Sequence, residues 1–150
     1  MLAFLILAAA AVQTPSTPAT VFSGLTGSCW QADVGSGNTD THCFSESSGG
    51  QLVLDIHKVR DGQQTVVYEG VTAYRGDAGK VTFGYYNSLG SLMPGTVGRS
   101  GDDISASLTL PNGALQDVHW HLGGDGYDVT GPFPAPVHYR KIGPVGDSGL

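Results

Sequence analysis

The residues of this chain with the most obvious chemistry are its five histidines and the carboxylates near them. Asp117, His119 and His121 alternate with Val118, Trp120 and Leu122. Side chains on a strand alternate between faces, so the three polar residues share one side. Two imidazoles at i and i+2 can chelate a divalent metal, with Asp117 as a third ligand or as a carboxylate that orients a ring. His57 or His138 would have to complete such a site. The competing expectation is that Val118, Trp120 and Leu122 face the core and the three polar residues face water. Asp55 and His57 form a second i, i+2 pair, and a carboxylate behind an imidazole suits acid–base chemistry. No nucleophile stands at a defined spacing from it. Leu52, Leu54 and Ile56 occupy the opposite face, so Asp55 and His57 are expected outside, in solvent. His138 is a lone candidate for non-covalent haem, since no Cys-x-x-Cys-His segment is present. The run from Gly123 to Asp128 matches one copy of a calcium-binding nonapeptide. That motif acts through stacked copies, so one copy reads as a hairpin turn.

The elements that must position these groups are short strands. From about Gly27 to Ile142 the chain alternates apolar and polar residues between Gly, Asn-Gly and Asp-Gly turns. Predicted strands cover 27–34, 40–46, 51–60, 64–75, 80–87, 95–99, 103–110, 114–122, 127–130 and 137–142. A two-residue turn is expected at Asp61-Gly62 and a tight one at Pro111-Asn112-Gly113, with a looser loop over 88–94. No segment shows a convincing amphipathic helix. Sequential strands joined by short turns favour an all-β, up-and-down antiparallel barrel of about eight to ten strands. Trp30, Tyr68, Phe83, Tyr85, Trp120 and Tyr127 are then the candidate ligand-binding residues. Turned inward, they would line a lumen with apolar surface and hydroxyl handles. The alternative is that they fill a narrow barrel completely.

Gly27-Ser28-Cys29-Trp30, followed by the strand meander, resembles the lipocalin-like, calycin-type barrels, over about Leu25 to Ile142. The spacing is one residue longer than the lipocalin Gly-x-Trp, and there is no room for the C-terminal helix of true lipocalins. The better likeness is to small exported bacterial lipocalin-like proteins. The resemblance implies a Trp packed across the closed end of a barrel that holds a ligand.

The ends of the chain bound its setting. Residues 1–11 are apolar and end in alanines, which reads as a signal peptide; the run is short of the ~20 residues that span a bilayer. Residues 12–22 read as a flexible Thr- and Pro-rich linker, 23–142 as the barrel, and 143–150 as a disordered tail. Export, to the periplasm or beyond, makes Cys29 and Cys43 a disulfide, with a two-thiol metal site or free thiols as rivals. Closing that loop of about 15 residues is worth ~3 kcal/mol. With 13 acidic against 7 basic residues and a net charge of −6, nucleic acid and anionic membrane surfaces are poor partners. The mature chain carries no expected transmembrane segment. The leading expectation is a barrel holding a small apolar or amphipathic molecule. No cofactor is expected, haem or a divalent metal being the lesser reading. The alternatives are a metal-dependent enzyme or metalloprotein using strand histidines, and an envelope interaction or inhibitor protein.

Overall fold

The computed structural model describes residues 16–47 and 49–146. The expected leader, residues 1–11, lies outside them, as do 147–150 of the expected tail. One helical turn, α1 (Pro18–Val21), precedes ten strands: β1 (Ser28–Gly35), β2 (Asn38–Glu46), β3 (Leu52–Arg60), β4 (Val66–Asp77), β5 (Lys80–Asn87), β6 (Leu92–Ser100), β7 (Asp103–Thr109), β8 (Leu115–Gly123), β9 (Gly126–Thr130) and β10 (Val137–Pro144). Each strand pairs antiparallel with its neighbour in sequence, and β1 closes on β10. This is the expected up-and-down barrel, and closure leaves no unpaired sheet edge. No helix among the described residues is long and apolar enough to cross a membrane.

Turn chemistry explains most of the boundaries. Gly113 takes a positive φ of 82°, and Leu110 N–H donates to Ala114 O at 2.8 Å, closing the Pro111-Asn112-Gly113 turn. Gly123 pairs with Gly126 around the next turn, so the nonapeptide-like run is a hairpin. The Asp61-Gly62 turn is longer than expected. Asp61 Oδ1 accepts from the N–H groups of Gln63 and Thr65, and Gln64 takes the left-handed conformation. The carboxylate thus organises a wider loop than the dipeptide suggested.

One end of the barrel is plugged. The stretch 16–22, expected as linker, is folded. Thr17 caps α1, its hydroxyl accepting from Thr20 N–H while Thr20 Oγ1 accepts from Thr17 N–H, and Pro18 begins the turn. A Thr cap followed by Pro suits a helix start better than an extended linker. Val21, Phe22 and Leu25 follow into the barrel base and are buried. Phe22 packs on Tyr74 at 4.2 Å between ring centroids and stacks on Phe44 at 5.6 Å. Arg99 Nη1 donates to the carbonyls of Val21 and Ser23, tying this plug to β6. Trp30 Nε1 donates to Leu25 O, and its ring meets Tyr127 edge-on at 5.5 Å. The disulfide joins Cys29 to Cys43, directly opposite each other on β1 and β2 with Cα atoms 4.1 Å apart.

The orientation of β3 is the reverse of the sequence expectation. Leu52 and Ile56 face outward at 36% exposure each, whereas Asp55 and His57 face the lumen at 3% and 8%. The alternation was read correctly, but the side assigned to the core was not. Val53 and Val59 share the inner face with the polar pair. Outside, Ile56 pairs with Val71, Val71 with Tyr86 and Tyr86 with Leu92, and this cross-strand row keeps the outward apolar residues in contact.

Candidate functional site

Two Asp-x-His segments lie on adjacent strands. Asp40 and His42 point inward from β2, Asp55 and His57 from β3. The β2–β3 register sets His42 directly opposite His57. Their rings stack, with centroids 4.6 Å apart and planes 16° from parallel. Each aspartate is then diagonal to the other strand's histidine, within reach of its ring. His42 Nδ1 faces both Asp55 oxygens at 2.9 and 2.8 Å, and His42 Nε2 faces Asp40 Oδ2 at 3.1 Å. His57 Nδ1 faces Asp40 Oδ1 at 3.2 Å, and the Tyr139 hydroxyl donates to Asp40 Oδ2 at 2.9 Å.

The hydrogen-bond inventory fixes a charge. An ionised carboxylate only accepts, so a His42 ring with a carboxylate at each nitrogen carries hydrogen on both. Burial alone would favour the neutral ring. The Asp55 and Asp40 carboxylates outweigh it and push His42 up to about 10. Burial likewise opposes ionisation of Asp40. The His42 charge and the hydrogen bonds from His42 and His57 overcome it and hold the carboxyl well below its usual range.

A chain of hydroxyls continues from His57. His57 Nε2 lies 2.8 Å from the Tyr85 hydroxyl, which lies 2.5 Å from the Tyr68 hydroxyl. In the neutral ring, with Nδ1–H donated to Asp40, Tyr85 donates to Nε2 and Tyr68 donates to Tyr85. Burial, the Tyr68 contact and the two carboxylates hold the Tyr85 hydroxyl far above its usual range, and burial with Asp40 does the same for Tyr139. Both remain protonated donors. The residue that permits this contact is Gly70. On β4 it lies opposite His57, between β3 and β5. A Cβ there would sit 2.5 Å from Tyr85 Cε2 and 2.6 Å from His57 Nε2. A glycine inside a strand marks such a close approach.

These groups form one wall of a lumen of about 440 Å³. Asp40, His42, Asp55, His57, Thr72 and Tyr85 supply the polar side; Met93, Leu108, Leu110, Val118 and Trp120 face them from β6 to β8. Phe133, on the β9–β10 connection, also lines the cavity. Among the described residues no Lys or Arg lines it.

Of the six aromatic candidates, Tyr68, Phe83, Tyr85 and Trp120 border the cavity. Trp30 and Tyr127 are packed in the barrel base, with Tyr127 stacked on Tyr139 at 4.9 Å. Asp117, His119 and His121 point outward and are exposed, opposite Val118, Trp120 and Leu122. Ser105 meets His119 Nδ1 at 2.9 Å, and Asp103 meets His121 Nδ1 at 2.7 Å. His138 also lies outside the lumen, its ring nitrogens on Asp128 and Asp125. The sequence reading missed Asp40, His42, Tyr139 and Gly70. Their signals were a second Asp-x-His, matching Asp55-x-His57, and a glycine within the β4 alternation. No protein-family model matches the chain, and a search of curated proteins returns no relative.

Proposed function

We propose that this protein is an exported, lipocalin-like barrel that binds a small amphipathic molecule in its lumen. The observation that carries this reading is the two-sided cavity, with a hydrogen-bonding wall of Asp, His and Tyr opposite an apolar wall. A ligand with one hydrogen-bonding edge and one apolar face satisfies both sides, and about 440 Å³ falls in the size range of small-molecule sites. The plugged base argues against a through-channel, and two buried carboxylates with no Lys or Arg among the described lining residues argue against an anionic ligand. The Cys29–Cys43 disulfide supports an oxidising compartment.

Native mass spectrometry of the untagged protein tests the reading. An added organic mass that leaves on denaturation, or competition by small amphipathic molecules for a fluorescent apolar probe that quenches Trp120, is the expected result. A lumen that excludes every such probe refutes it.

A further inference from the structure

We propose that Asp40, His42 and His57 form a binding site for a divalent transition-metal ion, facing the lumen. The site lies in the polar wall on which the organic-ligand reading rests, but the two stand or fall on different measurements. Among the described residues these three are the ones whose donor atoms all lie within 4.8 Å of one another. Two imidazole nitrogens and one carboxylate oxygen are borderline donors that suit Zn²⁺, Co²⁺ or Fe²⁺.

The spacing fits the ion. With metal–ligand bonds of about 2.0 Å, two ligands of a tetrahedral site lie about 3.3 Å apart. His42 Nε2 lies 3.1 Å from Asp40 Oδ2 and His57 Nδ1 3.2 Å from Asp40 Oδ1, near that edge length, and the whole donor set lies within 4.8 Å, so a small inward shift brings it onto one ion. One ion between the rings would replace both hydrogens, with the rings, now stacked 4.6 Å apart and 16° from parallel, turning to aim their nitrogens at it. Its outer partners are in position as well. Asp55 holds the far nitrogen of His42, and the Tyr85 hydroxyl holds the far nitrogen of His57. A carboxylate or hydroxyl behind a ligating imidazole fixes the ring and raises its basicity.

Protons and charge balance. On binding, His42 releases its Nε2 proton and keeps Nδ1–H on Asp55. The Nδ1 proton of His57 moves to Nε2, where it donates to Tyr85 oxygen, and the Tyr85 hydroxyl turns to Tyr68. Both imidazoles are then neutral, and Asp40 and Asp55 bring two negative charges. Among the described residues no Lys or Arg lines the cavity to cancel them. A divalent ion does. Three protein ligands leave a fourth position open toward the lumen, the arrangement of sites that bind water or a substrate.

The test is titration of untagged, chelator-stripped protein with Co²⁺ and Zn²⁺. Expected are one ion per chain and visible d–d bands from Co²⁺, which Zn²⁺ bleaches. Asp55→Asn should weaken binding by about 10–100-fold, as for other outer partners. His42→Ala and His57→Ala, which remove a ligand outright, should weaken it more. The double variant His119→Ala/His121→Ala should bind as wild type does. Wild-type protein without Co²⁺ bands at equimolar metal overturns the proposal, whatever the variants do. So does affinity that survives His57→Ala, or that is lost with His119 and His121. Organic mass retained by chelator-treated protein bears on the ligand reading alone.

Discussion

Replacing Gly70 by alanine tests whether the lumen network is packed as described. The new Cβ would stand 2.5 Å from Tyr85 Cε2 and 2.6 Å from His57 Nε2, against an ordinary contact of 3.4 Å or more. Tyr85 and His57 would each have to retreat by about 0.8–0.9 Å, which breaks their 2.8 Å hydrogen bond. Overpacking of this kind costs about 1–3 kcal/mol. Loss of the buried hydrogen bond adds about 0.5–1.5 kcal/mol. Removing a glycine from the unfolded ensemble returns about 0.4–1 kcal/mol. The net destabilisation is about 2 kcal/mol, or roughly 6–10 °C in Tm for a domain of this size. Gly98→Ala is the control. A Cβ at Gly98 meets nothing within 4 Å, and that variant should match or slightly exceed wild type. Both are measured by urea denaturation and thermal melting followed by circular dichroism. Equal stability of Gly70→Ala and Gly98→Ala would refute the close passage of His57 and Tyr85 across β4, and with it the hydroxyl chain to Tyr68.

The other expectations concern charge, cross-link and cavity. His42 titrates higher in the folded than in the unfolded protein, so its stabilisation is complete below about pH 6.5 and declines as pH rises toward about 10. In metal-free protein, urea denaturation across that window should show a slope of up to about 1.4 kcal/mol per pH unit, absent from His42→Asn. Asp40 titrates lower when folded; its contribution holds above its ordinary value near 3.8 and weakens only in stronger acid. Reducing the Cys29–Cys43 bond, or replacing both cysteines by serine, should cost ~3 kcal/mol and lower Tm by roughly 10 °C. Trp30→Ala should destabilise the barrel base by about 3–5 kcal/mol. Trp120→Ala, on the half-buried cavity wall, should cost less stability and weaken capture of an apolar probe more, as read by melting and by probe fluorescence.

Local chemistry decided the strands and most of their turns. Gly and Asn-Gly punctuation breaks the chain where the backbone turns, and period-two alternation groups Val81 with Phe83 and Tyr85, and Ile104 with Ala106 and Leu108. The same alternation grouped Asp55 with His57 on one side of β3 and Leu52 with Ile56 on the other. Alternation names the members of a face without naming the direction in which it looks. Taking the apolar face as inward works for a filled core and fails for a lumen with a polar wall. Thr17-Pro18 carried a helix-start signal, but the composition around it argued for a linker, and only the fit of Phe22 and Leu25 into the barrel base orders it.

The site itself depends on pairings made at a distance. Asp40 and His42 meet Asp55 and His57 because the β2–β3 register is fixed once β1 is cross-linked to β2 and the barrel closes. Gly70 lets His57 and Tyr85 touch across an intervening strand, and Tyr139 reaches Asp40 from the far end of the chain. The sequence by itself determined which residues alternate, where the chain turns and which cysteines are available to pair. Closure decided which face became the inside, because curvature and register arise from all ten strands together and no single segment encodes them.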